Sequence, residues 1–238
     1  MPKTDNHNKM YINKNGQRVL RVSDVIKVLA KDQIATWANM LGLKGVTYKD
    51  ELNKAANIGS VCHDVLDKYH SPGYIADIDY EAFGVLDPTD QRQVIHAIDS
   101  FFEWYNKYKK DYPFHVAFTE LTVVGNDLGG TIDLGIQGWK DPKKVIFVDY
   151  KTGKDFYLAQ FLQLAGYVTI YEEVNGPDTV EGVMICRLEK REGKKASAWF
   201  LPRSEMDPYI LCFQCLFDVA MGTKILGSSL REQVIRLT

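Results

Sequence analysis

Much that would mark an unusual protein is missing from this chain. Its 238 residues include only four cysteines and eight prolines, and the formal net charge is -2. No apolar run approaches the roughly 20 residues a membrane span needs. The opening MPKTDNHNK is polar and has no apolar h-region of the kind a secretory signal carries. These absences lead us to expect a cytoplasmic protein with no membrane contact. The cysteines, Cys62, Cys186, Cys212 and Cys215, sit inside apolar segments, as reduced core thiols do, so a disulfide framework is not expected. Near-neutral charge excludes a polycation, and any nucleic-acid binding must come from a local basic patch. Internal repeats and low-complexity segments are also missing. Nothing in the sequence fixes the oligomeric state.

What is present is the ordinary material of a globular protein, 45% apolar and 25% charged, long enough for one large domain or one domain with an inserted subdomain. A polar tail and short strand fill residues 1 to 18. Ser23-Asp24 before Val25, Ile26, Val28 and Leu29 reads as a capped short helix. Helical spacing follows over residues 34 to 43, 48 to 69 and 90 to 109. Three strands are expected at Val116 to Val124, Gly130 to Ile136 and Lys144 to Tyr150. A helix from Asp155, its cap, reaches Tyr171. Strands Val180 to Leu188 and Ser197 to Leu201 flank a polar turn, and Pro208 opens a helix ending near Gly222. The order, helices, β-β-β-α-β-β and a last helix, is that of an α/β fold around one central sheet.

The stretch VIFVDYKTG holds the chemistry. A run as apolar as Val145 to Val148 belongs to a strand buried on both faces, and such a strand seldom presents charge without reason. The turn Gly138 to Lys143 has its midpoint near residue 141, so a hairpin sets Asp133 across from Asp149, within about 5 Å between Cβ atoms. Alternation points Asp149 and Lys151 the same way. Two readings stand at this point. One is a Lys151–Asp149 ion pair with Asp133 facing solvent. The other is a divalent cation drawing both carboxylates together, since Mg²⁺ prefers such oxygens.

Gly130-x-x-Asp133 followed by Asp149-Tyr150-Lys151 resembles the core of the PD-(D/E)XK nucleases, and most nearly their RecB-type branch, which includes the mitochondrial genome maintenance exonuclease and related phage exonucleases. That branch carries Gly-x-x-x-His on an upstream helix, matched by Gly59 to His63, and Gln-x-x-x-Tyr on a downstream helix, matched by Gln163 to Tyr167. The four motifs fall in the right order between residues 59 and 167. Ile132 stands where the family's name has Pro, a residue that this branch often lacks.

The resemblance implies a restriction-endonuclease-like mixed central sheet flanked by helices, formed by a single domain over 1–238. Residues 71–115 then form a helical cap insertion, packed by Phe101, Phe102, Trp104 and Tyr105. It implies Mg²⁺ or Mn²⁺ held by His63, Asp133, Asp149 and the Tyr150 backbone carbonyl, with Glu120 near the ion or Lys151. Lys151 orients or deprotonates the attacking water, and Gln163 and Tyr167 hold Lys151 or the phosphate backbone. Leu158, Leu162 and Ala165 are expected to pack on the sheet. Gln160, Arg187 and Lys140 are candidate DNA contacts, as are Lys143 and Lys144. Some relatives bind an iron-sulfur cluster through four cysteines, but Cys186 lies well before Cys212 and Cys62 is beside His63, so no cluster is expected. The implied activity is exonucleolytic hydrolysis of DNA, single-stranded or with free ends, in recombination, repair or replication in a bacterial or phage setting. An RNase, a nicking endonuclease and a catalytically silent nucleic-acid-binding module are the alternatives.

Overall fold

The computed structural model describes residues 10–29, 32–70, 83, 86–138 and 141–237, with side chains from Ile34 onward in the second helix and as far as Ile225 in the last. The elements are β1 (Leu20–Arg21), α1 (Val22–Ile26), α2 (Asp32–Leu43), α3 (Tyr48–His70), α4 (Pro88–Asp111), β2 (Phe114–Val124), β3 (Leu128–Gly138), β4 (Val145–Lys151), α5 (Leu158–Asn175), β5 (Val180–Arg187), β6 (Ser197–Pro202) and α6 (Asp207–Leu237). The strands form one mixed six-stranded sheet, the restriction-endonuclease-like α/β arrangement expected from the sequence.

β3 is the hub of this sheet. β2 runs antiparallel along one edge of it, from Gly129 to Gly138. The other edge is shared. β1 pairs with it in parallel at Leu128 and Gly129, and β4 pairs antiparallel at Leu134 to Ile136. Among the described residues, Gly130 to Asp133 have no strand partner on that edge, which leaves a notch between β1 and β4. The crossover helix α5 makes β4 and β5 parallel, and β6 closes the far side.

Each face of the sheet has its own core. Val145, Phe147, Val183 and Ile185 pack under α1, α5 and α6. Ile146, Val148, Met184 and Cys186 pack under α3 and α4. This is why VIFV is apolar at every position: β4 is central and covered on both sides. The alternation fails at one place. Ile132 belongs to the first core and Leu134, two residues on, to the second, although a regular pleat would give them one face. Glu120 lies across β2 at this point. Its φ is +46°, and the β2–β3 ladder passes from Thr119–Leu134 to Leu121–Ile132 without a pair at Glu120 and Asp133.

Several local expectations need correction. α1 has no side-chain cap from Ser23 or Asp24. Its cap residue is Arg21, whose guanidinium donates to Asp24 at 2.6 and 2.8 Å. α5 starts at Leu158 rather than at Asp155, because the Tyr157 N–H is taken by the Gln160 side chain at 3.0 Å, which closes the first turn. Leu158 is exposed instead of packed on the sheet. α6 continues through Gly222 to Leu237. A single interior glycine costs a helix only about 1 kcal/mol, and helix-favouring residues follow it. Cys62 and Cys186 are buried, but Cys212 and Cys215 are exposed on α6, whose inward stripe passes through Phe213. α4 lies on α3, with Phe101 and Tyr105 buried beneath it. Residues 71–82, 84 and 85 of the expected cap lie outside the described residues.

Candidate active site

The β3–β4 register, 134 with 148 and 136 with 146, extends to 133 with 149, as the count about the turn predicts. Asp133 sits at the open notch, and its Oδ2 accepts the Tyr150 N–H at 3.1 Å. From α3, His63 reaches over the same residue. Its Nε2 is 3.0 Å from the Tyr150 carbonyl, and its Nδ1 is 3.3 Å from Asp133 Oδ2. The carbonyl can only accept, so Nε2 carries a proton, and in the tautomer with Nδ1 unprotonated its lone pair faces the carboxylate. Two acceptors facing each other at this distance repel unless a cation or proton stands between them.

Glu120 completes this group. Ligand atoms of His63, Glu120 and Asp133 all lie within 4.8 Å of one another. The irregular ladder explains how. At φ +46° the Glu120 backbone leaves the regular pleat, a conformation that costs a non-glycine residue about 1 kcal/mol or more and tends to collect at functional sites. The break in alternation beside it is where the two acids stand.

Asp149 and Lys151 lie on the next strand. Asp149 is 3% exposed, and its Oδ2 is 2.5 Å from Lys151 Nζ. This close approach makes the lysine ammonium the partner of a carboxylate oxygen that is otherwise buried without one. Burial pushes the Asp149 carboxyl up, against the pull of Lys151. Burial alone would lower the Lys151 amine, but Asp149 and Asp133 outweigh it and hold the amine above its ordinary value. Lys151 is therefore an ammonium at neutral pH.

α5 covers the acids from the first-core side. Gln163 Nε2 donates to Tyr167 Oη at 2.8 Å. Burial, then the nearby Asp133 carboxylate, pushes the phenol far above its usual range, so the hydroxyl stays protonated and its hydrogen remains to be donated. Gly130 is required by this packing: a Cβ there would lie 2.5 Å from Tyr167 Cε1.

Five of the expected residues, His63, Asp133, Asp149, Tyr150 and Lys151, thus converge, with Gln163 and Tyr167 beside them. The Tyr150 carbonyl already accepts from His63 with one of its lone pairs. Glu120 stands closer to the centre than the sequence reading placed it. The same midpoint count, applied to residues 125–128 between the paired Val124 and Gly129, would have set it opposite Asp133. The outlying candidates are engaged elsewhere. Gln160 caps α5, Arg187 is bound to Ser197 and Glu189, and Lys144 pairs with Asp178. Lys140 lies outside the described residues.

Chemically, two carboxylates and an imidazole with ligand atoms within 4.8 Å of one another, with the buried Asp149 carboxylate on the next strand, fit a divalent cation of the oxygen-preferring class. No helix among the described residues is long and apolar enough to cross a membrane. Residues 37–209 match the model of the family described as the PD-(D/E)XK nuclease superfamily. No curated protein matches the chain. Among solved structures that do, the crystal structure of SSO0001 is 12% identical, with 89% of this chain and 77% of that one covered and a TM-score of 0.37, a likeness too loose to support a conclusion.

Proposed function

The chain belongs to the PD-(D/E)XK nuclease superfamily, whose members are metal-dependent nucleases, and from that premise we propose that it is a DNA exonuclease of the RecB-type branch acting on single-stranded ends. The observation that carries the metal-dependent chemistry is the convergence of ligand atoms of His63, Glu120 and Asp133 within 4.8 Å. The branch rests on the Gly59–His63 and Gln163–Tyr167 motifs, both of which lie against the same acids.

In this reading His63, Glu120 and Asp133 hold Mg²⁺ or Mn²⁺, with Asp149 joining from β4. The imidazole in the set favours Mn²⁺ over Mg²⁺. When bound, the ion polarises the scissile phosphate and lowers the pKa of a bound water. The remaining roles belong to the chain. Hydrogen-bonded to the Tyr150 carbonyl, the His63 ring is fixed in the tautomer that offers Nδ1. Lys151 is charged before substrate arrives, so it orients the water and offsets charge growing on the phosphate. Tyr167, fixed by Gln163, donates its hydroxyl proton toward the acids or the phosphate. Residues 71–115 as a cap over the approach remain part of the proposal, and α4 supplies their packed portion.

The test is a digestion time course on end-labelled linear single-stranded, linear double-stranded and closed circular single-stranded DNA, and on single-stranded RNA, with Mg²⁺, Mn²⁺ or EDTA. We expect linear single strands to shorten from an end only when metal is present, and circles to survive. Rapid cutting of circles would overturn the end-directed reading. Cleavage of RNA in preference to DNA would move the substrate. No metal-dependent cleavage of any nucleic acid would overturn the function.

A further inference from the structure

Beyond the acids, the carboxyl ends of β4 and β5 carry a second arrangement that the metal chemistry does not use. Lys151 and Arg187 are ladder partners there. The chain leaving β5 is fastened at successive points. Leu188 N–H donates to the Lys151 carbonyl at 2.8 Å, and Glu189 N–H donates to Ser100 Oγ on α4 at 2.9 Å. The buried Glu189 carboxylate takes the Arg191 guanidinium at 2.7 and 2.9 Å and Arg187 Nη1 at 3.3 Å. The two arginines and the glutamate therefore satisfy one another.

Lys190 stands in the middle of this fastened turn and has no such partner. It is half-buried and makes no ion pair among the described residues. Asp90 and Glu189 act on it only at a distance, and Glu189 is already engaged by the arginines. Its strongest charged neighbours include another cation, Lys154, on the turn just after β4, which also has no ion pair among the described residues. The ammonium lies close enough to α3 to act on the buried Cys62 thiol, next to His63. The turn after β4 touches α3 as well: a Cβ on Gly59 would meet Thr152 Oγ1 at 3.6 Å. Burial, with Lys154 adding to it, lowers the Lys190 amine. Because β4 and β5 leave the sheet side by side at Lys151 and Arg187, the turns that follow carry Lys154 and Lys190 at the same end of it, and two cations brought near each other favour an anion between them. Open sheets of this kind take their ligands at the carboxyl ends of parallel strands.

We infer that Lys154 and Lys190 form a second phosphate subsite, which grips a non-scissile phosphate of the nucleic-acid strand whose neighbouring phosphate lies at the acids. This rests on the nuclease reading above and names the part of the substrate that the protein holds beside the reacting bond. Fastening the Lys190 turn to Lys151 through Leu188 makes the distance between gripped and cleaved phosphates a fixed property of the sheet.

The test is fluorescence anisotropy of a labelled single-stranded oligonucleotide in EDTA, where chemistry is silent, over a series of NaCl concentrations. Each phosphate neutralised contributes a slope of about -0.7 in log K against log salt for single strands. We expect Lys154→Gln and Lys190→Gln each to flatten the slope by about that amount, and Lys190→Arg to restore it. Lys27→Gln, at the end of α1 and paired with Asp24, serves as the control and leaves the slope unchanged. Wild-type slopes in both glutamine variants, with melting temperatures also unchanged, would overturn the subsite while leaving the nuclease reading standing. If Lys190→Gln does not fold, Lys154→Gln alone decides. A wild-type protein that binds no nucleic acid would overturn both.

Discussion

Replacing Lys151 by alanine separates the roles of charge balance and catalysis. The ammonium is 2.5 Å from a buried Asp149 oxygen, and the carboxylate side chain is 4% exposed against 24% for the lysine. Removing one partner of a buried ion pair costs about 3–5 kcal/mol. Because the lysine is partly hydrated, the lower end applies, about 3 kcal/mol. For a chain of this length that lowers the metal-free melting temperature by about 6–12 °C. The loss shrinks at lower pH, because the Asp149 carboxyl, already pushed up by burial, neutralises itself by taking a proton. Metal should act in the opposite direction. With the ammonium gone, the acids attract a divalent ion more strongly, so Mn²⁺ raises the variant's melting temperature more than it raises that of the wild type. Cleavage should nevertheless fall about 10²- to 10⁴-fold. Melting curves with and without Mn²⁺ at pH 5 and pH 8, beside the digestion assay, measure all three effects. Full cleavage activity in the variant would refute the catalytic role of the lysine. Weaker metal stabilisation than in the wild type would refute the charge balance drawn here.

Two further substitutions probe the surroundings. Glu120→Gln keeps the side chain's shape but removes one of two like charges that face each other across β2 and β3. The metal-free melting temperature should rise while Mn²⁺ affinity by calorimetry falls at least tenfold. Unchanged affinity would remove Glu120 from the ion's neighbourhood. His70 donates or accepts at 3.3 Å from the Tyr150 hydroxyl, and burial lowers its imidazole to about 4. The unfolded chain binds that proton below about 6.5 and the folded one does not. Stability should therefore fall as pH drops from about 6.5 to 4, by about 1–3 kcal/mol from this group. Urea melts across that range should lose this part of the slope in His70→Gln, and an identical slope in the variant would refute it.

The central hairpin was legible because its information is local. The turn residues between Gly138 and Lys143 fix a midpoint, the midpoint fixes which residues oppose, and a strand apolar at every position must be central. The 3-4 spacing of α3 likewise placed Gly59 and His63 on a real helix. Less was legible where a choice depends on distant groups. Glu120 looked like an ordinary strand glutamate because the left-handed turn of its backbone appears only when β2 and β3 are laid together. Cys212 and Cys215 sit among apolar neighbours, yet α6 buries only the stripe through Phe213, and which stripe faces inward is decided by α5 and α1. Asp155 is a good cap by type, but the Gln160 side chain was already in place to close the turn at Tyr157. β1 is two residues long, and its pairing with β3 left no pattern in the sequence to find.

The gap in the β2–β3 ladder at Glu120 and Asp133 also has a mechanical side. A sheet is weakest where its rungs are missing, and here the missing rung coincides with the two acids. An ion seated between them would act as a rivet across that seam. Loading the cofactor and stiffening the hub strand are then the same event, and the protein stripped of metal should breathe first at the point where it is built to react.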